Sequence, residues 1–157
     1  MAGTIQEPIT GNEKVLDVSD PLAALSQFYR ALNHRDISLM HANWEVTDDA
    51  VMDNPLGGIK RGWSEIRGVY ESLFATPNKF HFEFYDYSLL SFSETFIAIG
   101  RERGELISAG ETLHLAIRTT RVFRRAHVRW RQIHHHGSID DPQMLDKYQN
   151  AVLNRAA

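Results

Sequence analysis

A change in hydrophobic period at Phe80 constrains the fold of this chain more than any other feature of its sequence. Before Phe80 the apolar residues recur at helical spacing, whereas from there to Gly137 apolar and polar residues alternate. This alternation predicts four long strands, at 80–85, 95–106, 112–125 and 128–137. Because no helix separates them, the strands are expected to pair in antiparallel fashion.

The other segments carry the signals of helices. The first two helices are expected to begin after N-caps at Asp20 and Asp36, and a third follows Gly62. A short strand is predicted at 49–54 and a terminal helix from Pro142. This order predicts an α+β fold, in which the N-terminal helices cover a cone-shaped, curved, mixed or antiparallel sheet. The open end of such a cone predicts a ligand pocket.

The chain is expected to form one domain at 20–139, preceded by a tail at 1–19 and followed by a helical extension at 140–157. It has no cysteine, which excludes disulfides, thiol nucleophiles and cysteine zinc sites. It lacks an apolar run close to the roughly 20 residues that span a bilayer, and its start is too polar for a signal peptide. These features predict a cytoplasmic protein without a membrane partner.

The distribution of charge argues against nucleic acid as a partner. The net charge is -3, although residues 101–131 hold eight arginines and only three glutamates. A nucleic-acid-binding domain is usually basic overall, and this chain is not. A locally basic sheet favours either a small anionic ligand or ion pairs between subunits.

Three motifs lie on the turns and strands of this pattern. They are a DNPLGG turn at 53–58, a Thr-Arg-Val-aromatic run at 120–123 and a Trp-x-x-x-His-x-His strand at 130–136. With the order of elements, they make residues 20–139 resemble the nuclear transport factor 2-like superfamily, which includes SnoaL-like and ketosteroid isomerase-like proteins. Within it, the chain is most similar to the calcium/calmodulin-dependent protein kinase II association domain and to bacterial SnoaL-like proteins of that type. The resemblance implies the fold and leaves the activity open, because the superfamily contains isomerases, cyclases, dehydratases and assembly modules.

The resemblance also implies candidate site residues. Arg101 and Arg121 match two pocket arginines that bind small carboxylates in the association domain, and Gly137 stands in the place of a third. Asp53 ends the first predicted strand, where the base of a ketosteroid isomerase could sit. No cofactor is expected.

The two arginines are also the leading candidates from strand alternation, which gives Arg101 and Arg121 apolar neighbours on their own faces. A guanidinium in such surroundings needs a partner. A carboxylate ligand suits its planar fork. An internal carboxylate, such as Asp53 or Glu83, is the alternative.

The histidine triplet is expected to divide between the two faces of its strand. His135 points into the predicted pocket, as an acid, a base, a ligand donor or a hydrogen-bonded wall residue. His134 and His136 point outward with Trp130 and Gln132, where they are expected to form the interface of a homodimer or ring. A metal site is disfavoured, because no carboxylate is obviously supplied to these histidines.

Four residues complete the predicted site. Asp53 and Asn54 are interpreted either as a base and a hydrogen-bond donor or as turn residues. Trp44 and Tyr70 are interpreted as pocket wall or core.

Two functions are compatible with these residues. The first is a pocket for a small carboxylate- or carbonyl-bearing molecule, with acid-base chemistry of the isomerase, cyclase or dehydratase kind if the protein is an enzyme. Asp53 or His135 would be the base, and an arginine would stabilise an oxyanion. The second is a non-catalytic homo-oligomeric assembly module that uses the outer face of the sheet.

Overall fold

The structure is a computed structural model that describes residues 6–153. Within this range there are four helices and six strands, namely α1 (Pro21–Asn33), α2 (Ile37–Asn43), β1 (Val51–Asp53), β2 (Lys60–Arg61), α3 (Trp63–Ala75), β3 (Lys79–Ser91), β4 (Thr95–Ser108), β5 (Glu111–Ala126), β6 (Arg129–Ser138) and α4 (Pro142–Leu153). The first five residues of the predicted tail and the last four of the predicted extension lie outside the described residues. The predicted α+β class is confirmed.

The strands form one mixed sheet in the order β2-β1-β6-β5-β4-β3. The four long strands pair antiparallel, whereas β1 runs parallel to β6. β4 stays in register with β5 along the whole length of β4. The two residues between them, Ala109 and Gly110, both have positive φ, which is the conformation that closes a two-residue hairpin with the twist of a sheet.

Helices pack on the inner face of this sheet and enclose an aromatic-rich interior. α1 begins where the side chain of Asp20 accepts a hydrogen bond from the N–H of Leu22 at 2.9 Å, and it lies against β3 and β6. Phe28 and Tyr29 on α1 and Tyr70 on α3 are buried. Aromatic side chains therefore supply much of the apolar surface of the interior.

A bulge in β6 changes which of its residues face inward. Val122 of β5 lies opposite His134, but the next residue along β5 lies opposite Gln132, so Ile133 is an extra residue in β6. Before Ile133 the even-numbered residues of β6 point inward, and after it the odd-numbered residues do. Trp130 and Gln132 are therefore buried on the same face as His135. The prediction that Trp130 and Gln132 belong to the outer face was wrong, because it assumed an uninterrupted strand.

The segments that flank the central elements pack onto them. Ile9 exchanges two backbone hydrogen bonds with Phe84 of β3, at 2.8 and 2.9 Å. Gly11 approaches α1 so closely that a Cβ would lie 2.4 Å from the backbone nitrogen of Arg30. At the other end, α4 packs against β5. Among residues 6–153, no helix has the length and apolar character needed to cross a membrane.

Candidate functional site

Alternate residues of the long strands face the helices and form the wall of the interior. On β4 the buried positions are even-numbered, and on β5 they are odd-numbered. Most of these residues are apolar, but each of the two strands also buries one charged residue. Glu102 of β4 is 5% exposed and Arg121 of β5 is 2% exposed.

These two residues form the centre of a hydrogen-bonded group that we call the interior polar cluster (Tyr29, Glu102, Arg121 and Gln132). Glu102 Oε1 accepts hydrogen bonds from Arg121 Nη2 and from the Tyr29 hydroxyl, each at 2.7 Å. Arg121 Nη1 donates to Gln132 Oε1 at 2.8 Å. The guanidinium carbon also lies 3.6 Å from the centre of the Phe28 ring. The cation is therefore held by an anion, an amide and an aromatic face.

Burial and neighbouring charges shift the pKa values of Arg121 and Tyr29 in this cluster and of Tyr70 in the same interior. Burial alone would lower the pKa of Arg121, but attraction to Tyr29 and Glu102 outweighs it, and the pKa is raised above its ordinary value. Burial raises the pKa of Tyr29 well above 10, and the neighbouring Glu102 raises it further. Burial also raises the pKa of Tyr70 to about 12. Both hydroxyls are consequently protonated donors at neutral pH.

His135 lies directly opposite Arg121 on the neighbouring strand. Burial lowers the pKa of His135 well below 6.5, and the positive charge of Arg121 lowers it further. The imidazole is therefore neutral at pH 7. Its Nδ1 lies 3.3 Å from the carbonyl oxygen of Thr120. Since a carbonyl only accepts, Nδ1 carries the proton and Nε2 retains a lone pair, which makes His135 a possible base.

Arg101 does not join Arg121, although the two were expected to line one pocket. Its side chain is 54% exposed on the outer face, where Nε donates to Asp86 Oδ2 at 3.0 Å. Arg101 occupies an odd-numbered position of β4, and those positions face outward. Each arginine thus has an internal carboxylate partner, but the partners are Asp86 and Glu102 rather than Asp53 or Glu83. Glu83 instead pairs with another outer-face residue, Arg103, at 2.5 Å.

Asp53 also lies apart from His135. Because β1 runs parallel to β6, Asp53 lies opposite His136 rather than His135. Asp53 Oδ2 is 2.8 Å from His136 Nδ1, and its Oδ1 is 3.8 Å from His134 Nε2. The proposed base and the proposed interior histidine therefore lie on opposite faces of the sheet. Among residues 6–153, no three histidine or acidic side chains are grouped so that they could hold a metal ion.

The remaining predicted residues lie in the turn and in the interior wall. The Asn54 side chain accepts a hydrogen bond from the N–H of Leu56 at 3.1 Å, as expected of a turn residue. Trp44 is fully buried and Tyr70 is 4% exposed. Their ring centres are 6.4 Å apart, and Tyr70 also contacts Phe28 at 6.2 Å between ring centres. Trp44 and Tyr70 thus belong to the same interior as the polar cluster.

Sequence reasoning missed Glu102, Tyr29 and Tyr148. The signal for Glu102 was its even-numbered position on β4, which it shares with the apolar residues Phe96, Ala98 and Leu106 of the buried face. Tyr29 shares helical spacing with Leu25 and Leu32 on the buried face of α1, a pattern that indicates burial but not the hydrogen bond from its hydroxyl. Tyr148 could not be placed, because its position depends on how α4 packs.

Two cavities lie beside α4. One of about 730 Å³ opens between the β1–β2 loop, α3 and the end of α4, with Leu56, Val69 and Val152 among its lining residues. The other, of about 160 Å³, lies at the start of α4, where Met144 and the outward-facing side chains of Arg101 and Arg118 line it.

Solved structures with the same architecture are numerous. A candidate dehydratase of the NTF2-like family from Streptomyces avermitilis is 20% identical, with a TM-score of 0.72 over 78% of this chain and 95% of that one. A candidate calcium/calmodulin-dependent protein kinase type II association domain from Thiobacillus denitrificans is 27% identical, with a TM-score of 0.68 over 82% of this chain and 100% of that one. The calcium/calmodulin-dependent kinase II hub of S. rosetta is 15% identical, with a TM-score of 0.67 over 81% of this chain and 98% of that one. No curated protein matches the chain.

The sequence profile of the SnoaL-like domain matches residues 22–142. The matched segment begins in α1, ends at the first residue of α4 and includes the whole sheet. It covers well over half of the chain and agrees with the NTF2-like fold of the solved structures. The protein therefore belongs to the SnoaL-like domain family.

Proposed function

We propose that the protein binds a small, uncharged organic molecule through a carbonyl or hydroxyl group, in the interior of the fold at the interior polar cluster. The observation that carries this proposal is the hydrogen-bonded pair of Glu102 and Arg121 inside an aromatic interior. Aromatic and apolar walls with a few converging polar groups are the usual composition of a small-molecule site.

The energetic cost of the buried pair supports a functional role. Removing two charges from water costs several kcal/mol per ion, and apolar residues of the same volume often give equal or greater stability. Tyr29 and His135, which lie next to this pair, both have pKa values shifted far from their ordinary range. Such a concentration of shifted groups is typical of sites that act on ligands.

The pairing supports one of the two ligand classes expected from the sequence over the other. A carboxylate ligand would have to compete with Glu102 for the guanidinium of Arg121, and its charge would be repelled by Glu102. An uncharged carbonyl can accept from a tyrosine hydroxyl or from the outer edge of the guanidinium without breaking the ion pair. The ligand is therefore carbonyl-bearing rather than a free carboxylate.

The same groups suit proton transfer beside a carbonyl. A neutral His135 can accept a proton at pH 7, and Tyr70 and Arg121 can donate toward an oxyanion. Asp53 has no part in this chemistry, because it pairs with His136 on the other face.

The test compares two fluorescent probes that share one ring system, the neutral ketone 6-propionyl-2-(dimethylamino)naphthalene and the carboxylate 6-(dimethylamino)-2-naphthoate. The wild-type protein should bind the ketone more tightly, and the double variant Glu102→Leu/Arg121→Met should bind it on the order of tenfold more weakly. Asp86→Asn/Arg101→Met, which neutralises the exposed pair on the outer face, is the matched control and should bind normally. Tighter binding of the carboxylate, or equal binding by both double variants, would refute the proposal.

A second function, self-association, is favoured by the outer face of the sheet. Leu90, Ile97 and Val122 form a cross-strand row that continues to His134 of β6. Leu90 is 46% exposed and the nearby Ile99 is 44% exposed. An isologous contact would place this apolar row against the same row of a second copy. The 27% identity to the candidate association domain from Thiobacillus denitrificans, over the whole of that chain, supports a second copy of this chain as the partner.

Light scattering tests the second function. The wild-type protein should be a dimer or larger, and Ile99→Lys should shift it toward the monomer because a lysine would be buried in the contact. Ile107→Lys changes an equally exposed isoleucine near the far end of the same strand and should leave the assembly intact. A monomeric wild-type protein at working concentration would exclude the assembly module.

A further inference from the structure

The C-terminal helix α4 covers the interior on the side of the polar cluster. Three residues separate it from the end of β6, and it extends to Leu153. Near its end, Gln149 donates to the carbonyl oxygen of Pro55 at 2.9 Å, and Asn78 donates to the carbonyl oxygen of Ala151 at 3.0 Å. Near its start, Met144 contacts β5, with Sδ 3.4 Å from the N–H of Ala116. The helix thus spans the mouth of the fold from β5 to the β1–β2 loop.

Tyr148 is the residue of α4 that enters the interior. It is 6% exposed and belongs to the same buried cluster as Tyr70. Burial raises its pKa, and the nearby Glu102 and Tyr70 raise it further. α4 therefore places a phenol side chain in the interior that we propose as the ligand site.

Much of the attachment of α4 to the rest of the fold lies close to solvent. Of its described residues, Tyr148 and Val152 are buried, whereas Met144, Leu145 and Ala151 pack half-buried against the same core. The ion pairs Lys147–Glu111 and Asp140–Arg118, which flank the helix on β5, have side chains that are all more than half exposed. Exposed pairs contribute little to stability. Elements with few buried contacts open at a fraction of the cost of global unfolding.

The larger of the two cavities beside α4 shows where such an opening would lead. It lies beside Val152, with the buried Leu56 and the half-buried Val69 in its wall. Moving the end of α4 away from the core would join this space to the interior. The matched family segment ends at residue 142, so nearly all of α4 lies beyond it.

We infer that α4 is a movable wall of the ligand site, which opens to admit the uncharged carbonyl-bearing ligand and, when closed, places the Tyr148 hydroxyl against it. This inference rests on the proposed function. It adds to that function a ligand-contacting residue, Tyr148, which lies outside the matched segment, and a route by which the ligand enters the interior.

Cross-linking tests the movement. The chain has no cysteine, so Glu111→Cys/Lys147→Cys places a single exposed thiol pair between β5 and α4, where the native side chains approach to 3.6 Å. A short bismaleimide bridging this pair should slow association of the naphthyl ketone by on the order of tenfold or more in stopped flow, because ligand entry then requires the blocked opening. Each single-cysteine variant, treated in the same way, should bind at the wild-type rate. Equal rates for the bridged and unbridged proteins would overturn the movable wall while leaving the ligand site in place.

Two further measurements separate this inference from the proposed function. Tyr148→Phe should weaken ketone binding by about fivefold, the contribution of one hydrogen bond, whereas Lys147→Ala should not weaken it. Hydrogen exchange without any ligand should show the amides of α4 exchanging well before those of β4 and β5. If α4 exchanges only with global unfolding, the wall does not open. If the wild-type protein binds no ketone at all, the proposed function fails, and the role of Tyr148 fails with it.

Discussion

Glu102 Oε1 lies 2.7 Å from Arg121 Nη2 in a region where both side chains are almost completely buried. The same oxygen accepts the hydroxyl of Tyr29, so the carboxylate, the guanidinium and the phenol are held in one geometry. The arginine-rich strands raised the question of what neutralises a guanidinium on an apolar face, and for Arg121 the partner is Glu102. The most deeply buried arginine is balanced from within the chain, and the interior is close to neutral in charge.

The first prediction concerns the stability of this pair. Glu102→Gln leaves the charge of Arg121 buried without its counter-ion, so we expect a loss of about 3–5 kcal/mol in the free energy of unfolding. Glu102→Leu/Arg121→Met removes both charges and should remain within about 1 kcal/mol of the wild type, because apolar side chains of similar volume replace them. Urea unfolding at pH 7 measures both. A double variant less stable than the single one would mean that the cluster is required for folding rather than for binding.

The period change at Phe80 was enough to predict the long strands and the α+β class, because alternation reflects burial directly. It could not decide which face of β4 points inward. Both registers of that strand are apolar near its start, with Phe96 and Ala98 in one and Ile97 and Ile99 in the other. Arg101 was therefore placed on the wrong side, although its neighbours were identified correctly.

The bulge at Ile133 and the packing of α4 could not be predicted from the sequence pattern, for a different reason. A bulge residue has no distinctive composition here, and its effect appears only in the register of two strands. The pairing of Asp53 with His136 likewise depends on β1 running parallel to β6, a contact between segments about 80 residues apart. Such relations are set by tertiary packing, not by local pattern.

The second prediction concerns pH. In the folded protein, burial and then the charge of Arg121 hold the pKa of His135 well below 6.5, whereas in the unfolded chain it is close to 6.5. Below pH 6.5 the unfolded state therefore binds a proton that the folded state excludes, and the free energy of unfolding decreases as the pH falls. We expect His135 to contribute a loss on the order of 1 kcal/mol per pH unit until its folded pKa is reached.

Urea unfolding at pH 7.5, 6.5 and 5.5 measures this effect, where only the slopes of the stability curves are compared. His135→Asn should have a shallower slope than the wild type, whatever its absolute stability. His81→Asn, which changes an exposed histidine of β3, should keep the wild-type slope. Parallel curves for the wild type and His135→Asn would show that His135 is protonated equally in both states.

The third prediction concerns Gly137, where the association domain has an arginine. A Cβ at this position would lie 3.0 Å from Pro55 Cδ and 3.2 Å from His135 Nε2, and neither ring moves freely. Gly137→Ala should therefore destabilise the fold by about 1–3 kcal/mol. Gly68→Ala is the matched control, since a Cβ there, inside α3, would meet nothing within 4 Å and should stabilise by about 1 kcal/mol. The urea midpoints of unfolding measure both changes. If Gly137→Ala leaves the stability unchanged, the turn at Pro55 shifts to make room, and the buried imidazole does not require glycine beside it.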